Sequence, residues 1–317
     1  MIKFTSIAFI FFLCLIFFSC RKPENDLDLQ AVQINLPTQF DLEKILFVND
    51  SVGYIVGGNY WYAGFIMSTH DGGNEWKIDT TTQKHIYNVK QSNVGEVYVC
   101  GLDGFVYKLV QKQWQLTHFL NYDYARSLAC KQDTCYFCYG IGYVGGGIYK
   151  TTDHQIIRKD TTLEEQEDIL LYDDSTIISC GYASIYKSDK YGNNWHQIDV
   201  KGDFFKSIFK KQDGNLIVIG YKGNILTSED KGESWKYIKR IANFSNEVEG
   251  FRAINFYNNE LGVIVGDDGL VWITKDGGTT WLKNWLSSKI DFYGVDFKDE
   301  STLFCVGKSG LCYKVSL

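Results

Sequence analysis

Only two prolines, Pro23 and Pro37, stand in 317 residues, and both fall within the first forty. No proline-rich linker is therefore expected anywhere in the chain. Basic charge is also short: 32 Lys and Arg against 38 Asp and Glu leave a net charge of −6. Broad electrostatic attraction to nucleic acid or to an anionic lipid surface is not expected from that balance. Arginine is scarcest beyond residue 30, where Arg126, Arg158, Arg240 and Arg252 are the whole set. The five histidines (His70, His85, His118, His154 and His196) show no metal-ligand spacing, so neither a metal nor another cofactor is expected. What is plentiful is aromatic side chains, 16% of the chain, and glycine, 30 residues.

The first twenty residues read as an address. Lys3 precedes an apolar run from Ile7 to Phe18, then Ser19-Cys20. The run is too short for a spanning helix, which needs about 20 residues, and it suits the apolar part of a secretory signal. Phe17-Phe18-Ser19-Cys20 resembles a bacterial lipobox, which implies cleavage after Ser19 and lipidation of Cys20; plain cleavage with an incidental Cys20 is the alternative. Residues 1–19 are then a lipoprotein signal peptide and residues 20–30, charged and poor in apolar side chains, a tether. The resemblance implies a cell-envelope protein of the outer membrane, periplasmic or surface-facing, touching the membrane through its lipid anchor alone.

Length alone would suggest two domains, but residues 31–317 repeat. Trp76, Trp114, Trp195, Trp235 and Trp281 each close a similar passage, at intervals of 38, 81, 40 and 46 residues. Seven short apolar runs end at glycine: GYIVGG (53–58), VYVCG (97–101), YFCYG (136–140), IISCG (177–181), LIVIG (216–220), GVIVG (262–266) and LFCVG (303–307). Each is followed by another apolar strand. A period near forty with several strands per repeat predicts an all-β, seven-bladed β-propeller. The seventh unit has sequence for three strands; Ala31 to Thr38 can supply its fourth and close the ring.

Three turns fit S/T-x-D-x-G-x-x-W: Thr69 to Trp76 with Asp71 and Gly73, Ser228 to Trp235 with Asp230 and Gly232, and Thr274 to Trp281 with Asp276 and Gly278. A fourth keeps Gly192 and Trp195 but has Lys190 in the Asp position. A carboxylate there can accept turn N–H groups while glycine takes the left-handed conformation. These turns resemble the bacterial neuraminidase repeat, or Asp-box. The longer G-x-x-G-x-I-x-x-[ST]-x-D-G-G-x-x-W pattern resembles the photosystem II stability/assembly factor-like propellers, over about residues 40 to 317. The resemblance implies a structural role for the turns, away from the ligand face, with an ion site as the alternative.

Sialidases that share this repeat have an Arg triad and an R-I-P motif; neither proline here follows Arg-Ile, so sialidase chemistry is not expected. Asp-box endoglucanases use two propellers, and this chain is too short for them. The carboxylate pairs Asp267-Asp268 and Asp173-Asp174 suit turns better than acid–base catalysis. Cys135 and Cys138 would point to opposite faces of a strand, which argues against one metal between them. Cys130 can pair with Cys135 across a hairpin, and Cys305 with Cys312, in an oxidising compartment.

Two features mark a binding face. The loop between the second and third strands of unit one is enlarged by Asn59-Tyr60-Trp61-Tyr62-Ala63, and that of unit three by Ile141 to Val144. Exposed aromatics suit protein or sugar contact; the alternative is that Trp61 folds back onto blade one. Two residues before the repeating apolar position of each innermost strand stand Glu43, Tyr87, Arg126, Glu167, Lys206, Arg252 and Tyr293. They are expected to ring the channel mouth, either as a ligand site or as mutual ion pairs between blades. The assembly-factor propellers carry a basic arginine patch for a photosystem protein, and this arginine-poor chain departs from that. The expectation is a non-catalytic scaffold binding a protein or a glycan; the alternative is a glycoside hydrolase using acidic residues on the loop face.

Overall fold

A computed structural model describes residues 29–317 apart from 121, 122, 133, 143, 154, 201, 241–247 and 287–289; Cys20, the signal and most of the tether lie outside the described residues. Seven four-stranded antiparallel sheets form the blades. Six are consecutive in the chain. The seventh joins Phe292–Asp299, Thr302–Gly307 and Cys312–Ser316 to the N-terminal strand Gln30–Ile34. Val32 pairs with Lys314 and Ile34 with Cys312, so the ring is closed by the expected segment, with pairing ending at Ile34 rather than reaching Thr38.

The second strand of each blade, such as Gly53–Asn59, Val97–Gly101 or Gly262–Gly266, is buried along almost its whole length. Its β-branched and aromatic residues pack against the blades on both sides, and the apolar clusters accordingly straddle blade boundaries. Val263 and Val265 of blade six, for example, join Val295 and Leu303 of blade seven. A strand covered on both faces needs a continuous apolar run, which is why alternation is absent from these segments.

Glycine ends these runs for a reason other than a turn. A Cβ on Gly101 would lie 2.3 Å from the carbonyl oxygen of His85, one on Gly266 2.2 Å from that of Gly250, and one on Gly307 2.0 Å from that of Asp291. Each glycine lets the chain entering the innermost strand cross at backbone contact. Blade three differs from the sequence alignment by one residue: Tyr139, not Gly140, lies opposite Ala125. Cys138 thereby takes the inner apolar slot that Cys100 and Cys180 fill in blades two and four.

The S/T-x-D-x-G-x-x-W turns join the third and fourth strands. Asp71 Oδ1 accepts from the Thr69 hydroxyl (2.8 Å) and from the N–H groups of Asn74 and Glu75 (3.0 Å each), while the Trp76 indole donates to the Gly73 carbonyl (3.2 Å). Asp230 and Asp276 repeat the pattern. In blade four, Trp195 still donates to Gly192, and Lys190 removes only the carboxylate. These turns also key one blade to the previous one: Gly73 packs on Phe304, Gly192 on Tyr136, Gly232 on Ile178 and Gly278 on Ile217.

Cys130 and Cys135 face each other across their hairpin and are joined in a disulfide, with Cα atoms 4.1 Å apart. The bridge expected between Cys305 and Cys312 does not form. Cys312 pairs with Val306, so its side chain enters the cluster toward blade one, while Cys305 points into the cluster toward blade six. Both thiols are free and buried.

The closing seam between blades seven and one is held by Asp296. Its carboxylate accepts from the Phe47 N–H (2.6 Å), the Asn255 side-chain amide (2.6 Å) and the Phe297 N–H (2.9 Å). Burial outweighs these bonds and pushes its pKa up to about 7. Between the ordinary carboxylate range and pH 7 the folded state therefore holds a proton that the unfolded state releases, so this group's contribution falls as pH rises through that window. We expect Asp296→Asn to gain stability relative to the parent between pH 5 and pH 8; urea denaturation at both values measures it, and a pH-independent difference would contradict it.

Candidate functional site: the channel mouth

The innermost strand of every blade carries a β-bulge at the same place. Register shifts fall between Leu42 and Lys44, Ile86 and Asn88, Ala125 and Ser127, Gln166 and Asp168, Phe205 and Ser207, Phe251 and Ala253, and Phe292 and Gly294. The extra residue is in turn Glu43, Tyr87, Arg126, Glu167, Lys206, Arg252 and Tyr293. A bulge leaves one residue out of the ladder and re-aims its side chain. All seven line one pocket of about 420 Å³ at the mouth of the channel. The alignment that placed them on a common ring is therefore met in the structure.

Much of the ring is internally paired. Arg126 donates to Glu165 (2.9 Å), Lys206 to Glu167 (2.9 Å), and Arg252 to both oxygens of Asp267 (2.7 and 3.3 Å). The first two cross from one blade to the next. Arg126 also lies over the rings of Tyr87 (4.7 Å) and Tyr124 (5.5 Å), and Arg252 over Tyr221 (4.9 Å) and Tyr293 (5.4 Å). Each arginine is thus charge-neutralised and stacked between aromatic faces. Asp267 belongs to this arrangement, while Asp268 sits at φ 55° in a tight turn and Asp173 accepts the turn N–H groups of Ser175 and Thr176. Neither carboxylate pair stands as a matched acid and base.

Beneath the ring lies a second polar layer that sequence reasoning missed: Lys44, Asn88, Ser127, Asp168 and Ser207, each directly after a bulge residue. Asp168 is its hub. It accepts from Lys90 Nζ (2.6 Å), the Ser127 hydroxyl (2.7 Å), its neighbour's N–H on Ile169 (2.9 Å), the Ile208 N–H (3.1 Å) and the Ser207 hydroxyl (3.3 Å). Four blades meet on one carboxylate. Burial pushes its pKa up, but Lys90 and Lys44 outweigh that and hold it below the usual range. The available signal was a polar residue recurring after the ring position where an apolar one was due.

His85 and Tyr124 were missed as well. His85 is 2% exposed and lies between the rings of Tyr60 (5.4 Å) and Tyr87 (4.9 Å), with Nε2 2.9 Å from Glu43. Tyr124 meets Trp61 edge to face at 6.2 Å, and Lys84 lies 4.7 Å over the Trp61 ring. Trp61 therefore leans toward blades two and three instead of folding back onto blade one, and stays 50% exposed. Tyr60 lines the pocket, whereas Tyr62 projects away, 81% exposed. Tyr143 lies outside the described residues. The S/T-x-D-x-G-x-x-W turns occupy the opposite end of the ring, where the Gly72 N–H donates to the Ser51 carbonyl in the loop joining the first two strands.

The fold and its mouth define a seven-bladed β-propeller with a polar, aromatic-rimmed channel opening. Residues 187–296 match the family described as photosynthesis system II assembly factor YCF48. Among solved structures, the chain resembles YCF48 bound to a D1 peptide (19% identity, TM-score 0.67, covering 91% of this chain and 97% of that one) and YCF48 from Cyanidioschyzon merolae (16%, 0.62, 90% and 98%). It also resembles a streptogramin B lyase (15%, 0.74, 91% and 98%). No curated protein matches it in sequence. At these identities the likeness establishes the fold, which hosts binding proteins and enzymes alike.

Among the described residues the buried Tyr87 hydroxyl has no hydrogen-bond partner, whereas Asp168 has five. We expect Tyr87→Phe to leave stability unchanged or raise it by up to about 1 kcal/mol, and Asp168→Ala to lower it by about 3–5 kcal/mol. Chemical denaturation of the two variants measures both; a Tyr87→Phe loss comparable to that of Asp168→Ala would contradict the assignment.

Proposed function

We propose that this protein is a non-catalytic recognition propeller that captures a segment of a partner protein at the channel mouth. The observation that carries the reading is the convergence of all seven bulge residues on one pocket, beside the exposed Tyr60-Trp61-Tyr62 loop. Ion pairs pre-organise that pocket, and large exposed aromatics at its rim are the side chains that dominate protein interfaces. The YCF48 bound to a D1 peptide, a protein of the same fold, supports a peptide partner over a glycan. The arginines here are already bonded to carboxylates, so the photosystem role is not carried over. The lipobox-like leader and the Cys130–Cys135 disulfide support an exported protein anchored in the envelope through Cys20.

The enzyme reading would require a free acid–base pair at the mouth. The carboxylates of Glu165, Glu167 and Asp267 instead each hold a basic side chain; of the other two at the mouth, Asp41 accepts the Ser309 N–H and Glu43 faces His85. We expect Trp61→Ala combined with Tyr62→Ala to reduce partner capture from native envelope by about tenfold without changing the unfolding midpoint. Undiminished capture would remove this face, and turnover in a glycan hydrolysis screen of the purified protein would favour the enzyme.

A further inference from the structure

We infer that the mouth takes a cationic side chain, a lysine or arginine of the bound segment, between the carboxylates of Asp41 and Glu43 and the rings of Tyr60 and Tyr293. This rests on the mouth being the binding face and adds the chemistry of what enters it. The basic groups of the ring are engaged. Arg126, Lys206 and Arg252 each hold a carboxylate, and the Lys44 ammonium donates to the Tyr293 carbonyl (3.3 Å). An incoming anion would have to break a formed ion pair at Arg126, Lys206 or Arg252, and at Lys44 would meet an ammonium already bonded to a carbonyl.

Asp41 and Glu43 differ. Glu43 Oε1 lies 2.9 Å from His85 Nε2, and His85 Nδ1 accepts the Tyr60 N–H (3.3 Å). With Nδ1 accepting, it is the Nε2–H that donates to Glu43. Asp41 Oδ1 accepts only the Ser309 N–H (2.8 Å). Among the described residues neither carboxylate has a lysine or arginine within ion-pair distance, yet both line the pocket with Tyr60 and Tyr293. Asp41 and Tyr293 line the same pocket, and burial and then Asp41 push the Tyr293 phenol up.

A second observation points to a ligand at the same place. Tyr87, only 7% exposed, lines this pocket together with Glu43, and among the described residues its buried hydroxyl has no hydrogen-bond partner. A peptide carbonyl next to an inserted lysine would accept that proton. The lysine's aliphatic stem would lie along the aromatic faces while its ammonium meets the carboxylates. Two unmatched carboxylates, aromatic walls and an orphan donor together describe a receptor for a basic side chain and its backbone.

The test titrates the full chain with the tripeptides Ala-Lys-Ala and Ala-Glu-Ala, both acetylated and amidated, by calorimetry at low salt. The lysine peptide is expected to bind at least about tenfold more tightly, and Asp41→Asn and Glu43→Gln are each expected to weaken it about fivefold or more. Asp41→Asn leaves the His85 contact intact and so guards against a merely unfolded Glu43→Gln. The inference is overturned by tighter binding of the glutamate peptide, by lysine binding that neither variant weakens, or by no saturable lysine binding up to about 10 mM. If partner capture still depends on Trp61 and Tyr62 in those cases, the binding face stands and only its charge preference falls. If capture is independent of them too, both readings fall.

Discussion

A β-bulge set in register seven times is the constraint on which the rest of this structure depends. Strands that pair from end to end keep their side chains above and below the sheet, turned toward neighbouring blades. The one extra residue per innermost strand escapes that alternation and faces the axis. Because the bulge falls opposite the same step of the second strand in every blade, seven residues far apart in the chain reach one opening. The glycines that end the second strands serve the same geometry, since a methyl group on most of them would collide with the backbone entering the bulge.

The mouth and the layer beneath it divide two tasks. Asp168 gathers donors from four blades and is 7% exposed, so it belongs to cohesion. Above it, Arg126 and Lys206 tie blades three, four and five, while Arg252 is tied within its own blade. The ring is thus both a set of ion pairs between blades and a shaped surface, and the two readings of it need not compete. On the side of blades seven and one, Asp41 and Glu43 have no lysine or arginine within ion-pair distance among the described residues. That side also carries the seam at which the N-terminal strand closes the ring, beside the buried carboxylate of Asp296.

How much of this was legible in the sequence depends on the range of the interaction. Periodicity reports strands and blade number, because a buried second strand needs the same apolar run each time. The seven ring residues could be found by counting back from an apolar slot, since a bulge keeps that offset constant. Gly140 misled because blade three places Tyr139 where the other blades place glycine. The Cys305–Cys312 bridge failed because spacing along a hairpin does not reveal the one-residue offset that sends the thiols to opposite faces. His85 and Tyr124 were invisible for another reason. Their contacts with Glu43, Tyr60 and Trp61 come from blade one, tens of residues away, and no local pattern encodes them. Asp267 shows the reverse error, since what suited a turn also clamps Arg252.

The central claim is that the bulge ring is the surface a partner occupies, and one modification tests it directly. With Cys20 replaced by Ser, the free thiols of the described residues are all buried, so Lys206→Cys adds a single reactive thiol at the mouth. Coupling it to a bulky maleimide and comparing partner capture with the unlabelled variant isolates occupancy of the pocket from any effect of the substitution. The label is expected to abolish capture while the unlabelled protein retains it. Equal capture by both would contradict it.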